Sequence, residues 1–240
     1  METEGTDRTT LAIPDCQNRL IEAVCAVQPR TVVVFHAGSP VVLPWRDRVS
    51  AILYLYLGGQ GVGRAAAELL YGDRNPCGRL AETFPLRLED TPGFLDCPGE
   101  EAEIHYNEGV YIGYRWYDKR AIPVEYPFGY GLSYTTFAYD SLTLSTEELK
   151  DTDRLTLSLR VTNTGDRPGH EVVQLYVAPR FISRYSRPPK QLRGFCKVYL
   201  RPGESKTVTM ELDGRSFACY SPSLGDWYVE TGKYELRPSS

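Results

Sequence analysis

What the sequence lacks narrows the field before any motif is considered. Its six cysteines, Cys16, Cys25, Cys77, Cys97, Cys196 and Cys219, contain no C-x-x-C spacing, and the three histidines, His36, His105 and His170, share no ligand pattern with them. Zinc and dithiol motifs are excluded on spacing, and neither a metal nor any other cofactor is expected. Most of the cysteines lie in apolar or periodic stretches, so buried free thiols are the expectation. Residues 1–15 hold no apolar leader segment, no run reaches the length of a bilayer span, and no N-x-S/T triplet occurs. These absences favour a cytosolic location without a membrane partner. A formal net charge of -4 leaves no basic face, which disfavours nucleic-acid binding. No serine or cysteine elbow accompanies His36, so triad-type hydrolysis is unsupported.

What is present fits a folded chain of one large or two ordinary domains: 240 residues, 42% apolar and 24% charged. The 17 tyrosines are the unusual feature. Tyrosine suits strands as well as sugar-stacking surfaces, and strand propensity is the plainer account. Residues 15–27, DCQNRLIEAVCAV, set Leu20, Ile21, Val24 and Val27 on one helical face with Asp15 as N-cap. TVVVF at 31–35 is a β-branched run of the kind found in strands buried on both faces. A second apolar run at 51–57 ends in GGQGVG, and RAAAELL at 64–70 is helical, with Gly72 placed to stop it. Strand, glycine turn and helix in this order indicate α/β architecture with a parallel sheet, of which only about two strands are visible.

Residues 74–136 are rich in Pro, Gly and Tyr and read as a long ordered connection, too aromatic for disorder. From 137 onward the pattern changes. LTLSLRV (155–161), EVVQLYV (171–177), FCKVYL (195–200), KTVTMEL (206–212), WYVE (227–230) and KYELR (233–237) are short runs, several of them alternating. NTGDRPG, RPGES, GDW and TGK supply turns between them. The spacing points to a β-sandwich of the immunoglobulin or fibronectin type III kind.

Two clusters invite a chemical reading. GGQGVG (58–63) fails the dinucleotide fingerprint, because Arg64 stands where a glycine is required, so a tight strand-to-helix turn is the better account. ETEGTDR at 2–8 gathers carboxylates. A pair of carboxylates flanking a glycosidic bond is the usual equipment for its hydrolysis. Glu2 and Glu4 share one side of an extended segment but opposite sides of a helix, and neither geometry makes them a complete catalytic pair. On composition alone the cluster is a solvated acidic terminus.

ETEGTDRTTLAIP (2–14), TVVVFHAGSPVVLPW (31–45), LLYGDRNPCGRLAETFP (69–85), NEGVYIGYRWYDKRAIPVEYPFGYGLSYTTF (107–137) and VTNTGDRPGHEVVQLYV (161–177) resemble consecutive blocks of glycoside hydrolase family 3, nearest to its β-glucosidases. The resemblance covers almost the whole chain in order. It implies a partial α/β-sandwich domain with a long ordered connection over 1–136, followed by an all-β fibronectin type III-like sandwich over 137–240. It also implies that Glu4, in E-G-x-D-R, is the catalytic acid/base, with Glu2 the runner-up. Asp7 and Arg8 would anchor that loop by a charged hydrogen bond, against the plainer account of a surface pair. The family's aspartate nucleophile, its barrel domain and most strands of its α/β-sandwich have no counterpart here, as though a family member were cut just before the acid/base loop. Where the family commonly carries an acidic residue, Gly61 stands; His36 replaces a small or polar residue and has no implied substrate role.

Three readings follow. The first is the C-terminal part of a retaining β-glucosidase acting on terminal β-D-glucosyl residues, inactive alone for want of its nucleophile, whose substrate is a β-glucoside or oligosaccharide and whose partner is the missing barrel. The second is a non-catalytic interaction module. The third is a parent enzyme of β-xylosidase specificity. Tyr111, Tyr114, Arg115, Tyr117, Phe128, Tyr130, Tyr134, Trp45 and Trp227 are expected to pack rather than to touch sugar, and Gly129 and Gly131 to make tight turns.

Overall fold

The computed structural model describes residues 8–101 and 103–239. The chain folds as two compact units. The first takes in the described residues up to Arg74, with Glu82–Glu108 and Ile122–Phe128; the second takes Asn75–Ala81, Gly109–Ala121 and everything described from Gly129 onward. Short segments upstream of residue 136 thus pack with the second unit. Polar anchors hold them: Arg79 pairs with Glu171, and the Tyr114 hydroxyl accepts a hydrogen bond from the backbone of Leu192.

In the first unit, α1 (Asp15–Val27) has the bounds expected of it. Its start differs in one respect. Pro14 occupies the N-cap position without a side-chain cap, and Asp15 is the first helical residue, where its carboxylate complements the helix dipole. β1 (Val32–Phe35) and β2 (Ala51–Tyr54) pair in parallel, from Val32↔Ala51 to Phe35↔Tyr54. The expectation that β1 is buried on both faces is not met. Phe35 is buried, whereas Val32 and Val34 are exposed, because the core gathers on one side of the pair. That core is built from Ile13, Phe35, Ala37, Val41, Leu43 and Trp45. Of the apolar stripe on α1, Ile21 packs against it while Leu20 and Val27 face outward. A 3-10 turn at Gly59–Gly61 leads into α2 (Val62–Leu70), and Gly72, at φ 80°, ends the helix with its N–H 3.1 Å from the Leu69 carbonyl. β3 (Phe84–Pro85) and β4 (Val124–Tyr126) form an antiparallel pair.

The first helix of the second unit is α3 (Tyr114–Arg120), and its strands are β5 (Phe137–Leu144), β6 (Leu155–Asn163), β7 (Gly169–Pro179), β8 (Gln191–Leu200) and β9 (Ser205–Leu212). The short α4 (Gly214–Phe217), capped by the Asp213 side chain, precedes the hairpin of β10 (Cys219–Ser221) and β11 (Asp226–Tyr228), and β12 (Tyr234–Ser239) follows. Two antiparallel sheets result, ordered β5-β6-β9 and β12-β7-β8. Alternation on β6 turns Leu155, Leu157, Leu159 and Val161 inward, against Val173, Leu175 and Val177 of β7. This is the sandwich the turn spacing predicts.

Three anchors tighten the second unit. The Arg79 guanidinium donates to both oxygens of the buried Glu171 carboxylate, at 3.1 and 2.9 Å, and to the Gly131 carbonyl at 2.8 Å. The Tyr139 hydroxyl donates to the same carboxylate at 2.7 Å, and burial, reinforced by that hydrogen bond, drives its pKa well above the ordinary tyrosine range. Gly129, at φ 82°, lies so close to Gln174 that a Cβ there would come within 2.2 Å of Oε1.

The cysteines differ from expectation. All six are free, but Cys16 and Cys97 are exposed and the other four only half-buried; Cys16 and Cys25 lie on α1, which has no buried residue, and Cys77 and Cys97 lie in loops. Trp45 packs as expected, fully buried, whereas Tyr130, Tyr134 and Trp227 are substantially exposed.

Candidate active-site edge of the parallel sheet

Because β1 and β2 are parallel, their carboxyl ends lie on one edge, where ligands of open α/β sheets are usually found. The loop after β1 and the turn after β2 both start there, joined by a 2.9 Å hydrogen bond from the Leu55 N–H to the Phe35 carbonyl. Residues 8–13 run alongside the first of these loops. The Arg8 guanidinium donates to the Pro40 carbonyl at 2.8 Å, and the Val42 N–H donates to the Leu11 carbonyl at 2.9 Å. Leu11 and Ile13 are buried, so the segment leading out of the opening cluster is fastened by both apolar and polar contacts.

The β1 loop is itself held rigid. The Tyr54 hydroxyl donates to the Ser39 carbonyl at 2.7 Å, and the Tyr54 ring stacks on Phe35 with centroids 5.6 Å apart. The Trp45 indole donates to Asn18 on α1 at 2.9 Å. The turn after β2 is tight, since a Cβ at Gly58 would fall 2.5 Å from Val62. Gly59 and Tyr56 both take left-handed backbone, at φ 63° and 47°. For a tyrosine that conformation is strained, as is common at functional edges.

Of the predicted site residues, Glu2, Glu4 and Asp7 lie outside the described residues. Arg8 is the described end of the cluster, and its partner is the loop after β1. His36 is exposed at the same edge, and Gly61 closes the 3-10 turn. The fastening by Ser39, Pro40 and Tyr54 was not predicted. The A-G-S-P break after the β1 run was its only trace in the sequence, and a break marks a loop without naming what holds it. Among the described residues, no group of three or more His, Cys, Asp or Glu is placed to hold a metal ion, and no helix is long and apolar enough to cross a membrane.

Comparison with known proteins places this geometry. A fibronectin type III-like domain is matched over residues 171–238. Among curated relatives, the chain is 49% identical over 233 residues to thermostable β-glucosidase B of Acetivibrio thermocellus, covering 97% of this chain and 31% of that protein. It is 43% identical over 235 residues to a β-glucosidase of Kluyveromyces marxianus, covering 97% of this chain and 27% of that protein. An exo-α-(1→6)-L-arabinopyranosidase of Bifidobacterium breve is also 43% identical over 236 residues, covering 98% and 31%. The chain thus spans about a third or less of the relatives it matches. Among solved structures, the Kluyveromyces marxianus β-glucosidase superposes with a TM-score of 0.92 at 42% identity, covering 99% of this chain and 28% of that one. A Bifidobacterium adolescentis β-glucosidase gives a TM-score of 0.94 at 42% identity, covering 98% and 35%. The glycosyl hydrolase family 3 C-terminal domain is matched over residues 1–134, more than half of the chain, and the chain belongs to that family.

Proposed function

We propose that this chain works as the C-terminal part of a retaining β-glucosidase, with residues 1–136 closing the α/β-sandwich domain and 137–240 forming the fibronectin type III-like domain. In this reading Glu4 protonates the leaving glycosidic oxygen and then deprotonates the incoming water. A nucleophile from a barrel outside these residues forms the glycosyl-enzyme. The observation that carries the reading is the hydrogen bond from Arg8 to Pro40, which fastens the root of the acid/base loop to the carboxyl edge of the sheet.

A missing partner accounts for the apolar surface of the first unit. Val32, Val34, Leu20, Val27 and Leu57 are all exposed there, with Val27 at 83% and Leu57 at 79%. An exposed apolar surface of this kind marks an interaction site. The glycone is less constrained than the chemistry, since β-glucosidases and an arabinopyranosidase resemble this portion about equally well.

One carboxylate without a nucleophile loses most of the rate, so the chain alone should not hydrolyse an aryl β-D-glucoside. Fused behind the barrel of the Acetivibrio thermocellus relative, it should turn that substrate over. Glu4→Gln should then lower kcat by about 10²-fold or more, while Glu2→Gln spares it. Turnover by the isolated chain that survives Glu4→Gln, or a fusion indifferent to Glu4→Gln, would overturn the reading.

A further inference from the structure

Tyr54 carries a polar group that its packing does not need. The rings of neighbouring residues fix its own. It stacks on Phe35, its partner across the β1–β2 pair, with centroids 5.6 Å apart. Phe84 and Tyr56 lie T-shaped to it, at 5.0 and 4.7 Å. Phe84 is fully buried on β3, so the cage has little room to give. A phenylalanine would fill the same space. The hydroxyl is held where these rings put it, and it donates to the Ser39 carbonyl at 2.7 Å, across 15 positions of sequence.

The next carbonyl along the chain, that of Pro40, is the one that accepts from the Arg8 guanidinium at 2.8 Å. Two residues further on, the Val42 N–H donates to the Leu11 carbonyl at 2.9 Å. Residues 39–42 are therefore bound on one side to β2 and on the other to the segment that leads out of the opening cluster. Pro40 joins the two holds. The peptide bond before it is planar and its ring locks φ, which leaves one soft torsion between the Ser39 and Pro40 carbonyls. Val41 is buried, so the loop cannot take up slack there. A carbonyl released at Ser39 thus carries the Arg8 anchor with it.

We infer that Tyr54 is a positioning residue for the acid/base loop. Its hydroxyl places the Ser39 and Pro40 carbonyls, and through Arg8 it governs the approach of Glu4, four positions earlier in the sequence, to the glycosidic oxygen. The inference rests on the role proposed for Glu4. The step it serves is cleavage of the glycosidic C–O bond, whose electron pair goes to the leaving oxygen while the Glu4 carboxyl supplies the proton. Placement matters most when that oxygen is basic. A phenoxide needs the proton, whereas 2,4-dinitrophenolate departs without it.

Amide exchange of the 240-residue chain reads the loop directly. Tyr54→Phe should speed exchange of the Val42 N–H about fivefold or more and leave unchanged the Leu55 N–H, which donates to the Phe35 carbonyl. Equal protection of Val42 in parent and variant would overturn the inference. So would a matching loss at Leu55, which would make the hydroxyl a general tie of the sheet. The fusion behind the Acetivibrio thermocellus barrel reads the chemistry. There Tyr54→Phe should lower kcat/KM for phenyl β-D-glucoside about tenfold, and for the 2,4-dinitrophenyl glucoside by less than about twofold. Equal losses on both substrates, or none on either, in a fusion where Glu4→Gln does discriminate between them, would overturn the inference alone. Glu4→Gln acting on both substrates alike would overturn the acid/base assignment, and the role of Tyr54 with it.

Discussion

Glu171 ties distant stretches of the second unit together. It is 1% exposed and receives three hydrogen bonds, two from Arg79 and one from Tyr139. The pair spans 92 positions of sequence, so it ties the segment at 75–81 to β7. Removing one member of a buried ion pair leaves the other charge uncompensated, at a cost of about 3–5 kcal/mol. Glu171→Gln keeps the shape and should lower the urea-derived stability of the second unit by about 3 kcal/mol. A loss below about 1 kcal/mol would mean that Arg79 relaxes to solvent instead. The residue was legible only as part of a strand run, EVVQLYV, in which an acidic first position reads as a solvated strand end. What buries it is an arginine far upstream, and nothing in a local window announces that pairing.

At the scale of elements, the loop joining β7 to β8 is secured from the β11–β12 connection. Glu230 accepts from the Ser183 hydroxyl at 2.5 Å, from the Arg184 N–H at 2.9 Å and from Arg187 at 3.4 Å. Burial pushes its carboxyl up, but these donors outweigh it and leave the folded-state pKa below the ordinary value of 4.5. A carboxylate depressed in the folded state contributes stability above its unfolded pKa and loses it as pH falls through the folded value. The loop should therefore hold at neutral pH and loosen below about pH 4.5. Amide exchange of residues 181–187 should rise over that range, and Glu230→Gln should flatten the profile and leave the loop loose throughout. A pH-independent exchange rate in the parent chain would count against the anchor.

Elements were legible where alternation and burial agree. LTLSLRV predicts β6, and its leucines are indeed the inward face. β5 escaped because most of its residues are exposed and Ser141 takes φ 53° at an irregularity in the pairing with β6, so no period survives in FAYDSLTL. The burial of β1 was misjudged for a different reason: a β-branched run specifies a strand, and which faces are covered depends on neighbours it does not encode. The edge that holds Arg8 was readable only through family resemblance, and the shift in β7–β8 register between Leu175 and Tyr176 not at all, since a slip in register is a property of two strands.

For the whole molecule, the two units have separate cores, one around Trp45 and Phe35 and the other spanning both sheets of the sandwich. The first leaves Val32, Val34 and Leu57 exposed on a pair of strands, whereas the second closes a sandwich on its inner faces. Calorimetry should accordingly resolve two transitions, the lower belonging to the first unit and the higher to the sandwich. A single cooperative transition at high temperature would mean that the first unit draws its stability from the second.

The order β12-β7-β8 also bears on synthesis at the ribosome. β7 lies between its two neighbours, and one of them is Tyr234–Ser239. Until that segment clears the exit tunnel, β7 keeps an open edge with Val173, Leu175 and Val177 already committed to a core. For that interval the nascent chain offers a strand-pairing template to any other extended segment nearby, and it is then most open to chaperones and to self-association.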